Sequence, residues 1–147
     1  MRFEEITTDK KRVIDLLLLA DEQEDMIDRY LDEGRLFVLY DPAIVCAAVV
    51  VNLNDKECEL KNIATLPSAQ RQGYGKAMIQ FLLTKFTRYQ TMYVGTGDVP
   101  ETLAFYQECG FHRSHRIKNF FTDYYREPII DHGIQLTDMI YLRIDQS

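Results

Sequence analysis

The sequence predicts an α/β (α+β) domain built on one mixed, mainly antiparallel sheet of six to seven strands, with about four helices packed on its faces. Three observations carry this. β-rich runs alternate with amphipathic segments. A strand–helix–strand passage around residues 59–94 demands a parallel crossover. The other strands are joined by hairpin-length connections. The chain has 147 residues and no linker, repeat or low-complexity tract, so residues 1–147 read as one domain. At this size roughly 70% of the unfolded surface can be buried, and no metal or disulfide staple is needed.

The elements follow in order. Phe3–Ile6 is a short first strand. Thr8 or Asp9 is placed to cap a helix with apolar positions Val13, Ile14, Leu17 and Leu18. Asp21-Glu22-Gln23-Glu24 has the form of a capping box, opening a second helix with Met26, Ile27, Tyr30 and Leu31 on one face and Gly34 as its stop. Leu36–Tyr40 and Ile44–Val51 flank Asp41-Pro42 as a hairpin. Residues 57–66 form a further strand. Gly75–Tyr89 is an amphipathic helix that directs Ala77, Met78, Phe81, Leu82, Phe86 and Tyr89 one way. Met92–Val94 is a short strand ending in Gly95-Thr96-Gly97. Asp98-Val99-Pro100-Glu101 starts a short helix that stops at Gly110. Phe111–Ile117 and Ile134–Ile144 are the final strands, around a loop holding Phe120, Phe121, Tyr124 and Tyr125.

Composition narrows the function. Seventeen Lys and Arg against 23 Asp and Glu leave a net charge of −6, with no general attraction for a phosphate backbone, so nucleic acid is not an expected partner. The longest apolar stretch, Ala43–Val51, is far short of the ~20 residues that span a bilayer, so no membrane segment is expected. The first residues are acidic, with no signal-peptide core, and the expected location is cytoplasmic. Cys46, Cys58 and Cys109 are odd in number and widely spaced, and read as reduced thiols, without a disulfide frame or a metal site. His112 and His115, three apart on a strand, should point to opposite faces.

The segment Glu59–Lys76 carries the chemistry. Leu60, Ile63, Ala64 and Leu66 suit a central strand, whereas Glu59, Lys61 and Asn62 are costly to bury unless paired or facing a cleft. Gln70-Arg71-Gln72-Gly73-Tyr74-Gly75-Lys76 then leads straight into the amphipathic helix. A helix start offers unpaired N–H groups and a positive dipole end, and two glycines admit a ligand close to the backbone. This is a pyrophosphate cradle. It is not a P-loop, since Ala77 stands where Ser or Thr is required, nor a dinucleotide fingerprint, since Met78 replaces the third glycine.

The whole segment resembles the GNAT N-acetyltransferase superfamily, whose signature Gln/Arg-x-x-Gly-x-Gly/Ala follows a strand. Gln70, Gly73 and Gly75 match it. Downstream, Phe105-Tyr106-Gln107-Glu108-Cys109-Gly110-Phe111 is similar to the second signature, Phe-Tyr-x-x-x-Gly-Phe. The resemblance covers residues 36–117 well.

The resemblance implies a fold in which the two central parallel strands splay and acetyl-CoA enters between them as cosubstrate. Its pyrophosphate would meet Gln70, Arg71, Gln72, Gly73, Tyr74, Gly75 and Lys76. Its pantetheine would pair with the backbone of Ile63, Ala64 and Thr65 by strand addition. Transfer would be direct attack by a primary amine in a ternary complex. Glu59, eleven residues before Gln70, has the spacing of the base in histone-acetylating relatives, while many others use ordered water. Tyr106 holds the position whose hydroxyl protonates the departing thiolate. Asn62 alternates with Glu59 unless a bulge intervenes. Asp98 is a cofactor neighbour or only a helix cap. The acidic run Asp21–Asp28 is a solvated helix face, or an attractor for a small cationic amine acceptor. Phe120, Phe121, Tyr124 and Tyr125 are a wall of that acceptor site or the surface of a homodimer. Two alternatives stay open: transfer to Lys or N-terminal amines of proteins, and a catalytically silent CoA-binding sensor module.

Overall fold

The computed structural model describes residues 1–146. Seven strands form one sheet: β1 (Arg2–Ile6), β2 (Arg35–Tyr40), β3 (Ile44–Asn52), β4 (Glu57–Thr65), β5 (Thr91–Gly97), β6 (His112–Ile117) and β9 (Met139–Asp145). Two short strands, β7 (Ile130–Asp131) and β8 (Ile134–Gln135), form a separate hairpin. The order across the large sheet is β1-β2-β3-β4-β5-β9-β6. Every pair is antiparallel except β4 and β5. The predicted mixed sheet with one parallel central pair is therefore the observed one.

Helices cover both faces, so the central strands read as near-continuous apolar runs. Cys46–Val50 of β3 is entirely buried. On one face, α3 (Tyr74–Lys85) makes the β4-to-β5 crossover and buries Met78, Ile79 and Leu82 against Phe37, Leu60 and Met92. On the other, α1 (Ile14–Leu17), α2 (Glu24–Asp28) and the turn after α2 bury Leu17, Ile27 and Leu31 against Leu36, Val38 and Val49.

Several boundaries differ from expectation. The first helix is a 3₁₀ turn, Lys10–Val13, running into the single turn of α1. Asp9 precedes it at φ 50° without capping by its side chain. The capping box at Asp21 does not form: α2 starts at Glu24 with Gln23 extended before it, because Asp21 is used elsewhere. The helix predicted to reach Tyr89 stops at Lys85, though Phe86 and Tyr89 stay buried. Strand β5 continues through Gly97, since its antiparallel partner β9 runs alongside to Met139. Asp98 caps nothing. It faces Arg113 and Arg116 at 3.9 and 3.7 Å, and α4 (Pro100–Glu108) follows Val99. The segment read as a loop holds α5 (Phe120–Tyr124), which brings the helices to five. The predicted Ile134–Ile144 strand is broken into β8 and β9. A bulge in β6 between Arg113 and His115 places His112 and His115 opposite Arg143 and Tyr141, hence on one face rather than two.

Candidate active site

Strands β4 and β5 pair only over Glu57–Leu60 and Thr91–Val94. Beyond Leu60, β4 keeps its bonds to β3 but leaves its other edge open, which creates the V between the parallel strands. The opening coincides with a bulge. Val49 pairs with Asn62 and Val50 with Leu60, so Lys61 is the extra residue. An inserted residue resets the alternation of side chains. Glu59 and Asn62 therefore both face α1 and α2, while Leu60 and Ile63 face α3.

Both polar residues are buried, Glu59 at 7% and Asn62 at 4% exposure; the Glu59 carboxylate and the Asn62 Nδ2 are paired, while Asn62 Oδ1 is not. The Tyr141 hydroxyl donates to Glu59 Oε2 at 3.1 Å, and Lys61 Nζ lies 3.5 Å from the same oxygen. Asn62 Nδ2 donates to the Leu17 carbonyl (3.0 Å) and to the Tyr30 hydroxyl (3.1 Å). Tyr30 in turn donates to Asp21 Oδ2 at 2.9 Å, and the Tyr125 hydroxyl donates to Asp21 Oδ1 at 2.5 Å. Burial, reinforced by Asp21, pushes both phenols well above the ordinary tyrosine range.

Three cavities meet around the V. An inner one of about 240 Å³ lies between the diverging strands, bounded by Asn62, Gly95, Tyr106 and the loop Leu19–Glu22. A cofactor-side cavity of about 530 Å³ runs along Thr65, Gln70, Gly73 and Lys76 to α4. The two share Ile63, Thr102 and Tyr106. An outer cavity of about 210 Å³, lined by Glu59, Arg29 and Phe120, shares Asp21, Lys61, Gly95, Tyr125 and Met139 with the inner one.

The glycine loop is shaped as an anion cradle. Arg71 and Gly73 adopt left-handed backbone, φ 65° and 85°, and turn the chain into α3. No side chain caps that helix, so its first N–H groups are unpaired. A Cβ on Gly75 would lie 3.0 Å from the tip of the Phe105 ring, so any larger residue would have to push that ring of α4 aside. Arg71 and Lys76 are exposed, and neither forms an ion pair among the described residues. Gln70 Nε2 folds back onto the Thr65 carbonyl at 3.2 Å. The Tyr74 hydroxyl donates to Asp41 at 2.6 Å, which ties the start of α3 to the β2–β3 turn.

Tyr106 is 8% exposed and packs edge-on against Phe105 and Phe111. Its hydroxyl has no hydrogen-bond partner among the described residues, and burial raises its pKa. Burial likewise raises the Cys109 thiol, which is the state of a packing residue rather than a nucleophile.

The structure thus gathers Ile63, Thr65, Gln70, Arg71, Gly73, Tyr74, Gly75, Lys76 and Tyr106 around one cavity, and puts Glu59 in the outer cavity on the far side of the bulge. Two of the expected residues stand outside it: Ala64, with its side chain in the core against α1, and Gln72, whose amide turns to the Ser68 carbonyl at 3.5 Å. Tyr30 and Tyr141 are the members that sequence reasoning missed; it offers Asp21 and Tyr125 for the acceptor side, but not as a bonded pair. Asp21 and Tyr125 are 104 positions apart, and no local pattern links them.

Residues 32–113 match the family model "Acetyltransferase (GNAT) domain". The chain is 33% identical over 135 residues to the uncharacterised N-acetyltransferase YvbK of Bacillus subtilis, covering 89% of this chain and 87% of that one. Among solved structures, it superposes on a GNAT family acetyltransferase from Elizabethkingia anophelis with acetyl-CoA bound at TM-score 0.93, with 35% identity over 98% of this chain and 97% of that one. A Bacillus subtilis acetyltransferase in complex with CoA gives TM-score 0.90 and 31% identity over 99% of both chains. With the splayed strands and the glycine cradle, these matches identify the chain as a member of the GNAT acetyltransferase family.

Proposed function

We propose that residues 1–147 form one acetyl-CoA-dependent N-acetyltransferase domain that acetylates a primary amine on a small cationic molecule. The observation that carries this reading is the junction of the inner and cofactor-side cavities at Ile63, Thr102 and Tyr106. A thioester lying along the open edge of β4 would present its carbonyl carbon there to an amine in the inner cavity.

In this mechanism the unpaired N–H groups at the start of α3, with Arg71 and Lys76, hold the pyrophosphate. Backbone groups of Ile63, Ala64 and Thr65 hold the pantetheine. The acceptor nitrogen must lose a proton before or during attack, because an alkylamine is largely protonated at neutral pH. Glu59 takes that proton through water in the outer cavity, with Tyr141 and Lys61 fixing its carboxylate. The amine then bonds to the carbonyl carbon, the carbon–sulfur bond breaks, and the Tyr106 hydroxyl protonates the leaving thiolate.

Preference for a small acceptor over a protein rests on the roof of the inner cavity. The loop before α2 is tied to the segment after α5: Tyr125 donates to Asp21, the Arg126 backbone N–H donates to Gln23 at 3.0 Å, and the Arg126 guanidinium pairs with Asp25. An extended peptide would have to break these bonds. The three free cysteines fit a reducing compartment, and we assign the reaction to the cytoplasm. Release of CoA in the presence of small amines tests the reading. CoA release with peptides alone would transfer it to protein acetylation. Cofactor binding without turnover of any amine would make the domain a sensor.

A further inference from the structure

Asp21 is a half-buried carboxylate without a counter-ion. Each of its oxygens accepts one phenol proton, from Tyr30 and from Tyr125, and neither donor brings positive charge. Burial and Asp21 itself raise the pKa values of both phenols, so they stay neutral donors. No Lys, Arg or His pairs with it among the described residues. Arg29 is turned over the Tyr124 ring at 5.3 Å and towards Met26 Sδ at 3.5 Å, and Lys61 is held by Glu59. Removing a carboxylate from water is costly unless a cation or several donors compensate, and a carboxylate has about four acceptor positions, of which two are filled.

A second vacancy lies two hydrogen bonds away, through Tyr30. Asn62 lines the inner cavity, and its Nδ2 is pinned by the Leu17 carbonyl and by Tyr30, which fixes the orientation of the amide. Its Oδ1 is left as the buried side-chain polar atom with no partner among the described residues. The inner cavity also carries Glu22 and Asp131, against the single cation Lys61. An uncompensated carboxylate and an orphaned carbonyl oxygen are both acceptors. They suit a group that has several N–H donors and a positive charge.

The position of Asp21 says which nitrogen this would be. The reacting end of the inner cavity is the one shared with the cofactor side, at Ile63, Thr102 and Tyr106. Asp21 lines the part that the inner cavity shares with the outer one, and does not line the cofactor side. Building on acetyl transfer to a small amine, we infer that the acceptor is a diamine or longer polyamine, and that Asp21, with Asn62 Oδ1, binds the ammonium that is not acetylated.

Two probes of equal chain length, cadaverine and n-pentylamine, isolate the second nitrogen. Steady-state CoA release is measured with each, for the wild type, Asp21→Asn and Asp21→Glu. A charge-assisted contact of this kind predicts a kcat/KM ratio favouring cadaverine by about 10- to 100-fold in the wild type. The ratio should collapse in Asp21→Asn and be largely restored in Asp21→Glu. In parallel, calorimetric titration of cadaverine into the CoA-loaded protein reads the subsite without turnover and should lose most of its affinity in Asp21→Asn. Acetyl-CoA-dependent thermal stabilisation reports that each variant is folded. Turnover of both probes with no preference for cadaverine, or a preference that survives Asp21→Asn, overturns the subsite alone. Absence of turnover with any amine overturns the small-amine reading, and cadaverine binding that depends on Asp21 would still uphold the subsite. Absence of both cadaverine binding and cadaverine preference overturns it.

Discussion

The Tyr141 hydroxyl donates to Glu59 from a strand 82 positions further along the chain. Strand β9 brings it there by pairing with β5, where Tyr141 stands opposite Gly95. A Cβ on Gly95 would lie 3.0 Å from the Tyr141 ring and 2.5 Å from Met139 Sδ, so the glycine makes room for the ring that orients the carboxylate.

This arrangement assigns graded effects. If Glu59 is the base, Glu59→Gln should lower kcat by about 10²–10⁴-fold. Tyr141→Phe, which removes one donor and leaves Lys61, should cost much less, about tenfold. CoA-release kinetics check both, and a Glu59→Gln enzyme at wild-type rate would return the proton to ordered water.

Tyr106→Phe should lower kcat with little change in acetyl-CoA affinity, because the ring packing on Phe105 and Phe111 is kept and only the acid is lost. A rise in the KM for acetyl-CoA at constant kcat would instead make Tyr106 a binding residue.

The glycine cradle predicts a thermal response. At about 100-fold over Kd, acetyl-CoA should stabilise the fold by about 2.7 kcal/mol, raising Tm by roughly 5–10 °C. Gly73→Val, at φ +85° with open space around it, should abolish most of that shift while leaving a folded protein. A Gly73→Val protein stabilised as strongly as the wild type would argue that the loop is only a turn.

Alkaline pH should unfold the protein through its buried phenols. Tyr30, Tyr106, Tyr125 and Tyr141 all have pKa values raised above the ordinary 10.0, with burial the foremost cause. The folded chain then retains protons that the unfolded chain releases. Their contribution to stability is complete below about pH 10 and is lost as the pH rises beyond it. Tm followed from about pH 8 to 11 should stay level and then fall, less steeply in a Tyr30→Phe/Tyr125→Phe variant. An equally steep fall in that variant would put the proton release elsewhere.

The sheet was legible wherever local pattern and global fold demand the same thing. The apolar runs Leu36–Tyr40 and Ile44–Val51, and the crossover from β4 through α3 to β5, identify themselves because a strand covered on both faces must be apolar throughout. The glycine cradle was legible for a similar reason: positive φ at Gly73 and tight packing at Gly75 both favour glycine. The short helices α1, α2 and α5 were less so. They are one or two turns long and are held by tertiary contacts rather than by propensity or caps.

The sequence by itself determined the mixed sheet, the parallel crossover and the strand–glycine-loop–helix order of the cofactor side, because each depends on residues adjacent in the chain. Tertiary structure alone decided that Lys61 bulges, which puts Asn62 on the face of Glu59. It also decided that Asp21 gives up its role as a cap to gather Tyr30 and Tyr125. The Asp21 pairings span 9 and 104 residues, and such geometry is set by strand register and by the need to satisfy buried polar groups, neither of which leaves a local trace.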